Sequence, residues 1–342
     1  MNVIRGLIKI ICAGVVAVAI LSVIMCFYYL MPLHHENKNG NTDYIWTPNS
    51  IWLKCTEGIS WGRFDSAGYN NPEVISNPDI IILGSSHVES LNVLYKDSLC
   101  GQLSDLIEDR YSIYNMGISG HNFYKVCQYL PDNLDMYDVP PKIVIIEVDN
   151  LALNEENVMK VFNHEVKHTP SNDTGFIAMM QRVPFFRCLY LQIDSGLLNL
   201  FLPSITIENY NNDGNLSLQK KNIDEVAYDK LFKYLSELES EYGTQIIIFN
   251  HPTGQVNADG NISFSDDDAL ILFNQYAEKY DIDFIDMTSS FEDMYYNNHQ
   301  LSHGFVTGRI GEGHLNANGH AAIAKELYYQ IIKMEKAGLL CR

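Results

Sequence analysis

Four short segments hold residue types suited to acyl chemistry. Gly84-Ser85-Ser86-His87 follows the apolar run Asp79-Ile-Ile-Ile-Leu83. Asn115-Met-Gly117-Ile-Ser-Gly120 follows Tyr111-Ser-Ile-Tyr, and Asp149-Asn150 follows Lys142-Ile-Val-Ile-Ile-Glu-Val148. A late loop carries Gly311-Glu312-Gly313-His314-Leu-Asn316. A serine hydroxyl is a weak nucleophile until a positioned base takes its proton, and histidine suits that task near neutral pH. The tetrahedral intermediate then carries an oxyanion that needs preorganised N–H donors. A glycine lets its backbone N–H approach closely, and an asparagine side chain offers another donor. Ser86 is therefore the candidate nucleophile and His314 the candidate base, with glycine and asparagine donors nearby.

Each residue also fits a plainer role. Ser86 could be a turn residue, His314 a loop histidine bonded to backbone, Asn150 a cap, and Gly120 a tight-turn glycine. His303 precedes the His314 loop and fits a pocket wall. His87 is uninformative, and His320 lies in a helical pattern where a structural role is the simpler one. His314 and His320 stand six residues apart, which does not share one helical face. The chain has no GKS/T or Gly-x-Ser-x-Gly motif. No metal and no organic cofactor is expected.

The elements that must bring these segments together alternate. Strands are expected at 79–83, 111–115, 142–148, 245–249 and 282–286, by their apolar and β-branched composition. Helical patterns fall at 98–110, 121–130, 226–242, 267–280 and 318–334. Such alternation predicts a parallel sheet with helices on both faces, and sites in such sheets form beyond the carboxyl ends of the strands. The stretch 151–223 lacks a clean period and reads as a partly helical insertion, either shaping the site or adding packing helices.

Taken together the motifs resemble the SGNH (GDSL-like) hydrolases. Ile81-Ile-Leu-Gly-Ser-Ser-His87 is similar to the block that carries the nucleophile. Tyr114-Asn-Met-Gly-Ile-Ser-Gly120 is similar to the block whose glycine lends an oxyanion N–H, best matched at Gly120, with Gly117 second. Ile145-Ile-Glu-Val-Asp-Asn150 resembles the block whose asparagine is the other donor. Gly313-His-Leu-Asn-Ala-Asn-Gly-His320 resembles the block of the catalytic base. The resemblance spans about residues 79–335 and implies an α/β, three-layer α/β/α flavodoxin-like domain. It has departures: Ser85 stands where the family has Asp, the third block lacks its glycine, and Gly311 occupies the usual place of the acid. The nearest carboxylate, Glu312, stands two residues before His314, a spacing that resembles the alginate-acetylation branch. The resemblance thus implies either Glu312 orienting the imidazole or a Ser–His dyad.

From Ile10 to Met31 the chain is uncharged, 22 residues against the roughly 20 that cross a hydrocarbon core. Arg5 and Lys9 precede the run, and it ends in Phe27-Tyr-Tyr-Leu-Met31 with no small-x-small cleavage site. Residues 1–33 are therefore expected to be a cytoplasmic start and an uncleaved signal anchor, and 34–78 a stalk and lead-in. Residues 79–338 are the catalytic domain, placed outside a cell membrane crossed once. The net charge of −19 argues against nucleic-acid and anionic-surface partners. Seven scattered cysteines form neither a disulfide framework nor a metal motif and fit small buried hydrophobes. The expectation is a serine esterase acting through an acyl-serine, with family analogy pointing to O-acetyl groups on an extracytoplasmic glycan. The alternatives are an O-acetyltransferase fed by a membrane acyl-donor partner, or a noncatalytic glycan-binding or assembly protein.

Overall fold

The computed structural model describes residues 2–37, 40, 42–166, 183–186, 224–264 and 268–340. Most of the expected insertion, with Cys188 and Cys341, lies outside the described residues. Contacts divide the chain into two units, Met1–Met31 with Thr169–Lys221 and Pro32–His168 with Asn222–Arg342.

In the first unit a helix spans Asn2–Cys26. Its stretch Val3–Cys26 is long and apolar enough to cross a membrane. The apolar helix therefore begins and ends earlier than the uncharged run. At its end the Phe27 and Tyr28 N–H groups close onto the carbonyls three residues back, those of Ile24 and Met25, a tightening common at helix termini.

The second unit is built on a five-stranded parallel sheet: β1 (Ile80–Leu83), β2 (Ile113–Asn115), β3 (Ile143–Val148), β4 (Gln245–Asn250) and β5 (Asp283–Asp286). The spatial order is β5-β4-β3-β1-β2, the flavodoxin-like arrangement. Every residue of β1 and β3 is buried, so these strands read as continuous apolar runs. Alternation within the strands still sorts the two faces. Ile81, Leu83, Val144, Ile146, Ile246 and Ile248 pack with the helices Phe123–Asp135, Glu225–Tyr242 and Asp268–Lys279. Ile80, Ile82, Ile143, Ile145, Ile247 and Phe249 pack with Leu99–Ile107, Thr288–Asn298 and Ala317–Lys336. Three layers follow from that division.

Two features were not expected. A helix covers Thr288–Asn298, where the sequence has no clean apolar stripe, and a hairpin pairs His303–Gly304 with Ile310–Leu315. The lead-in before β1 packs on the domain, with Tyr44 and Tyr69 in one of its core clusters. Its hairpin Ile51–Lys54/Ser60–Arg63 buries Trp52, and Phe64 stacks on Trp46 with ring centroids 5.1 Å apart. Asn71 closes the attachment: its amide donates to the Asn115 carbonyl at 2.9 Å, and its side-chain oxygen accepts the Asn115 N–H at 2.9 Å. Cys100 and Cys127 are buried, in keeping with the small-hydrophobe reading.

Candidate active site

Ser86 opens the short helix Ser86–Glu89 directly beyond β1. Ser85 caps that helix, its hydroxyl oxygen accepting the His87 N–H at 3.3 Å. The same hydroxyl donates to Glu147 at 2.8 Å, and the Ser85 N–H donates to the other Glu147 oxygen at 2.6 Å. Glu147 is buried near the end of β3, so the neighbouring strand fixes the turn that carries Ser86. Gly84 is required there, because a Cβ would overlap the Glu147 carboxylate and the Val88 side chain. Asn115 braces the helix from the β2 side, donating to the Val88 carbonyl at 2.8 Å.

His314 lies in the hairpin strand Ile310–Leu315, two residues before Asn316. Asn316 caps the final helix by accepting the Asn318 and Gly319 N–H groups, and its amide donates to the Leu301 carbonyl at 2.8 Å. The loop is thus anchored at both ends of the hairpin. Ser86 and His314 are 228 positions apart, and the Ser86 hydroxyl lies 2.9 Å from His314 Nε2. The other ring nitrogen, Nδ1, donates to a carboxylate at 2.6 Å. These two bonds orient the ring, with the Nδ1 proton toward the carboxylate and Nε2 toward the Ser86 hydroxyl.

That carboxylate is Glu57, not Glu312. Glu312 is exposed and pairs with Arg309 at 3.1 Å. Glu57 comes from the turn between the two strands of the lead-in hairpin and accepts the His314 backbone N–H as well, at 2.8 Å. Backbone geometry accounts for the correction. Gly311, where the resembled family carries its acid, and Gly313 both have φ of +83°, the left-handed region that favours glycine. A Cβ on Gly313 would also strike the Glu57 carboxylate. Burial alone would raise the Glu57 pKa, but the His314 hydrogen bonds and charge, with Lys54 nearby, hold it below the ordinary carboxylate value. Asn92 extends the chain, donating to Glu57 at 3.3 Å while accepting from Lys54.

The expected oxyanion donors divide. The Gly117 N–H donates to the Asn115 side chain at 2.9 Å, which excludes it as a donor in this geometry. Gly120 is exposed with φ of +82°. No described residue takes its N–H. Asn150 is exposed, and its side-chain oxygen accepts the Ala152 N–H at 3.0 Å. That is a local turn rather than the cap the sequence also allowed, since Asn154 caps the following helix, and no described residue takes the Asn150 amide N–H groups. No described residue takes the Ser86 N–H, as befits the first turn of a helix.

Beside Ser86 and His314 stands a histidine cluster. The ring of His87 lies 4.3 Å from that of His251 and 5.1 Å from that of His314, centroid to centroid. The His251 Nε2–H donates to Glu147 at 2.7 Å, and His251 Nδ1 lies 3.3 Å from His303 Nε2. Burial, then the nearby imidazoles, pushes His87 well down and His303 and His320 down to about 3. Sequence reasoning passed over Glu57, Glu147 and His251. His251 follows β4 directly, so its place at a strand's carboxyl end was a usable signal. Glu57 had only its position beside Gly58 in a polar turn between Trp52 and Trp61.

No family model matches the chain. No curated protein matches it either. Among solved structures it is similar to an acetyl xylan esterase, at 12% identity over 74% of this chain and 99% of that one, TM-score 0.39. It is similar to a carbohydrate acetylesterase family member from Sinorhizobium meliloti, at 13% identity over 75% of this chain and 98% of that one, TM-score 0.38. It is also similar to a mutant of an acetyl-xylooligosaccharide esterase from Geobacillus stearmophilus, at 14% identity over 75% of this chain and 94% of that one, TM-score 0.37.

Proposed function

We propose that the chain is a serine esterase that hydrolyses acyl esters through an acyl-Ser86 intermediate. The observation that carries this reading is the hydrogen-bonded series Glu57–His314–Ser86, at 2.6 and 2.9 Å, at the carboxyl edge of a parallel sheet. His314 takes the Ser86 proton as the oxygen attacks the acyl carbon. It then returns that proton to the leaving alkoxide, and water attacking the acyl-enzyme repeats the cycle. Glu57 holds the ring and stabilises the imidazolium. The Ser86 and Gly120 N–H groups and the Asn150 amide are the donors we assign to the oxyanion.

The acyl group we propose is short, of the O-acetyl kind, carried by a glycan outside the cell, as the motif resemblance implies. The apolar helix Val3–Cys26 holds Arg5 and Lys9 near its start, which favours an anchor with a cytoplasmic N-terminus and the remainder outside.

The test is hydrolysis of an aryl acetate by the full chain in detergent, beside fluorophosphonate labelling. The wild type should turn over and label at one serine. Ser86→Ala should abolish labelling and lower turnover by on the order of 10⁶-fold, as removal of a serine nucleophile does elsewhere. Equal turnover by both proteins would overturn the reading. Transfer of the acyl group to a glycan acceptor in preference to water would make the enzyme a transferase.

A further inference from the structure

We infer that His251, His303 and His87 form a binding site for a divalent transition-metal ion of the zinc type, separate from the Glu57–His314–Ser86 series. One ligating nitrogen from each lies within 4.8 Å of the other two. The pair His251 Nδ1 and His303 Nε2 is 3.3 Å apart. Two nitrogens each about 2.0–2.1 Å from a tetrahedral zinc ion stand about 3.3–3.4 Å from one another, so this pair already spans one edge of the polyhedron.

The partners behind the two rings strengthen the case. Metal-ligating histidines nearly always give their second N–H to a carboxylate, carbonyl or hydroxyl, which sets tautomer and ring orientation. His251 Nε2 donates to the buried Glu147 at 2.7 Å. His303 Nδ1 lies 2.9 Å from the Ser302 hydroxyl. Both outer partners are already in place, and both ligand atoms face each other.

Without an ion, the His303 Nε2–H donates to His251 Nδ1, and His303 Nδ1 accepts from Ser302. On loading, the His303 proton moves from Nε2 to Nδ1 and is donated to Ser302. The ion takes the lone pairs of His251 Nδ1 and His303 Nε2. No proton is gained or lost by either ring. His87 is the third ligand. Its Nδ1 now accepts the Leu315 N–H at 3.2 Å, and it exchanges that contact for the ion. Water completes the tetrahedron. The three rings come from the end of β4, the nucleophile helix and the hairpin that carries His314. A bound ion therefore ties together the three segments that frame the site.

The experiment is a titration of the full chain in detergent with zinc, and with cobalt(II) as a spectroscopic probe. The expected result is one ion per chain, the visible absorption of tetrahedral cobalt(II), and a thermal midpoint that rises with free zinc. His303→Gln and His251→Gln should each weaken binding at least tenfold, and His87→Gln by a smaller factor. Ser86→Ala should bind as the wild type does. The Gln variants keep ring-sized polar groups, and their circular dichroism should match the wild type. If one of them misfolds, the cobalt spectrum of the wild type and of His87→Gln still decides. Sub-stoichiometric binding, an octahedral cobalt spectrum, or binding indifferent to all three substitutions would refute the site.

Discussion

At the scale of single residues, the division of labour between two carboxylates is the sharpest feature. Glu57 and Glu312 are both glutamates near His314, but one bonds its ring and the other an exposed arginine. Glu57→Gln presents an amide where a carboxylate held the imidazole and should lower kcat by on the order of 10⁴-fold, the scale seen when a triad acid is neutralised. Glu312→Gln should leave kcat within about twofold, because an exposed ion pair contributes little. Steady-state kinetics of the two variants side by side checks the assignment, and the reverse ranking would restore Glu312. Glu57 also has a stability signature. Its folded pKa lies below the ordinary value of 4.5, so its contribution is full above that pH and is lost as pH falls through the folded value. Denaturant midpoints of wild type and Glu57→Gln should therefore differ at neutral pH and converge as pH falls through the folded value.

At the scale of elements, glycines and caps set the distances that chemistry needs. Gly313 combines a left-handed φ with contact against Glu57, so Gly313→Ala strains the hairpin and displaces the carboxylate together. A shift of about 1 Å in such a series can cost about 10²-fold in rate, and activity should fall by at least that factor while the fold persists. Circular dichroism beside aryl-acetate turnover separates the two effects. The sheet itself responds differently. Ile145 is fully buried between β1 and β4, and Ile145→Ala should cost about 2–5 kcal/mol in a denaturant titration. Glu147 shows how one strand serves both purposes, since its neighbours pack the core while its carboxylate holds Ser85 and His251. That arrangement holds Ser85 in place ahead of Ser86. The turn is braced from β3 rather than by its own acidic residue.

At the scale of the whole molecule, charge and burial govern response to pH. The net charge of −19 gives the folded chain a self-repulsion that grows as carboxylates ionise. One contributor is identifiable. Glu239, on the helix Glu225–Tyr242, accepts the Ile246 N–H at 2.5 Å. Burial, despite that bond, pushes its pKa up to about 7. A raised carboxyl pKa means the folded state holds its proton more tightly than the unfolded chain. Stability from this group is present at pH below 4.5 and is lost as pH rises through about 7. Glu239→Gln keeps the acceptor and removes the charge. It should raise stability by on the order of 1–3 kcal/mol at pH 8 and hardly at all at pH 4, read from denaturant midpoints at both values.

Local pattern was enough for much of this protein. Runs such as Ile80–Leu83 and Ile143–Val148 are apolar on both faces because helices cover both faces, and that composition is visible without coordinates. Helix spacing in 225–242 and 317–336 and the apolar stretch near the N-terminus were legible for the same reason. The meeting of Ser86 with His314 was legible as well, since the first follows a strand's carboxyl end and the second precedes a helix cap. Glu57, Glu147 and the grouping of His87, His251 and His303 were decided only by the tertiary structure. A side chain's partner across the fold depends on strand order and loop closure, which no local period encodes. A carboxylate can reach a ring from any segment that the topology brings within hydrogen-bonding distance.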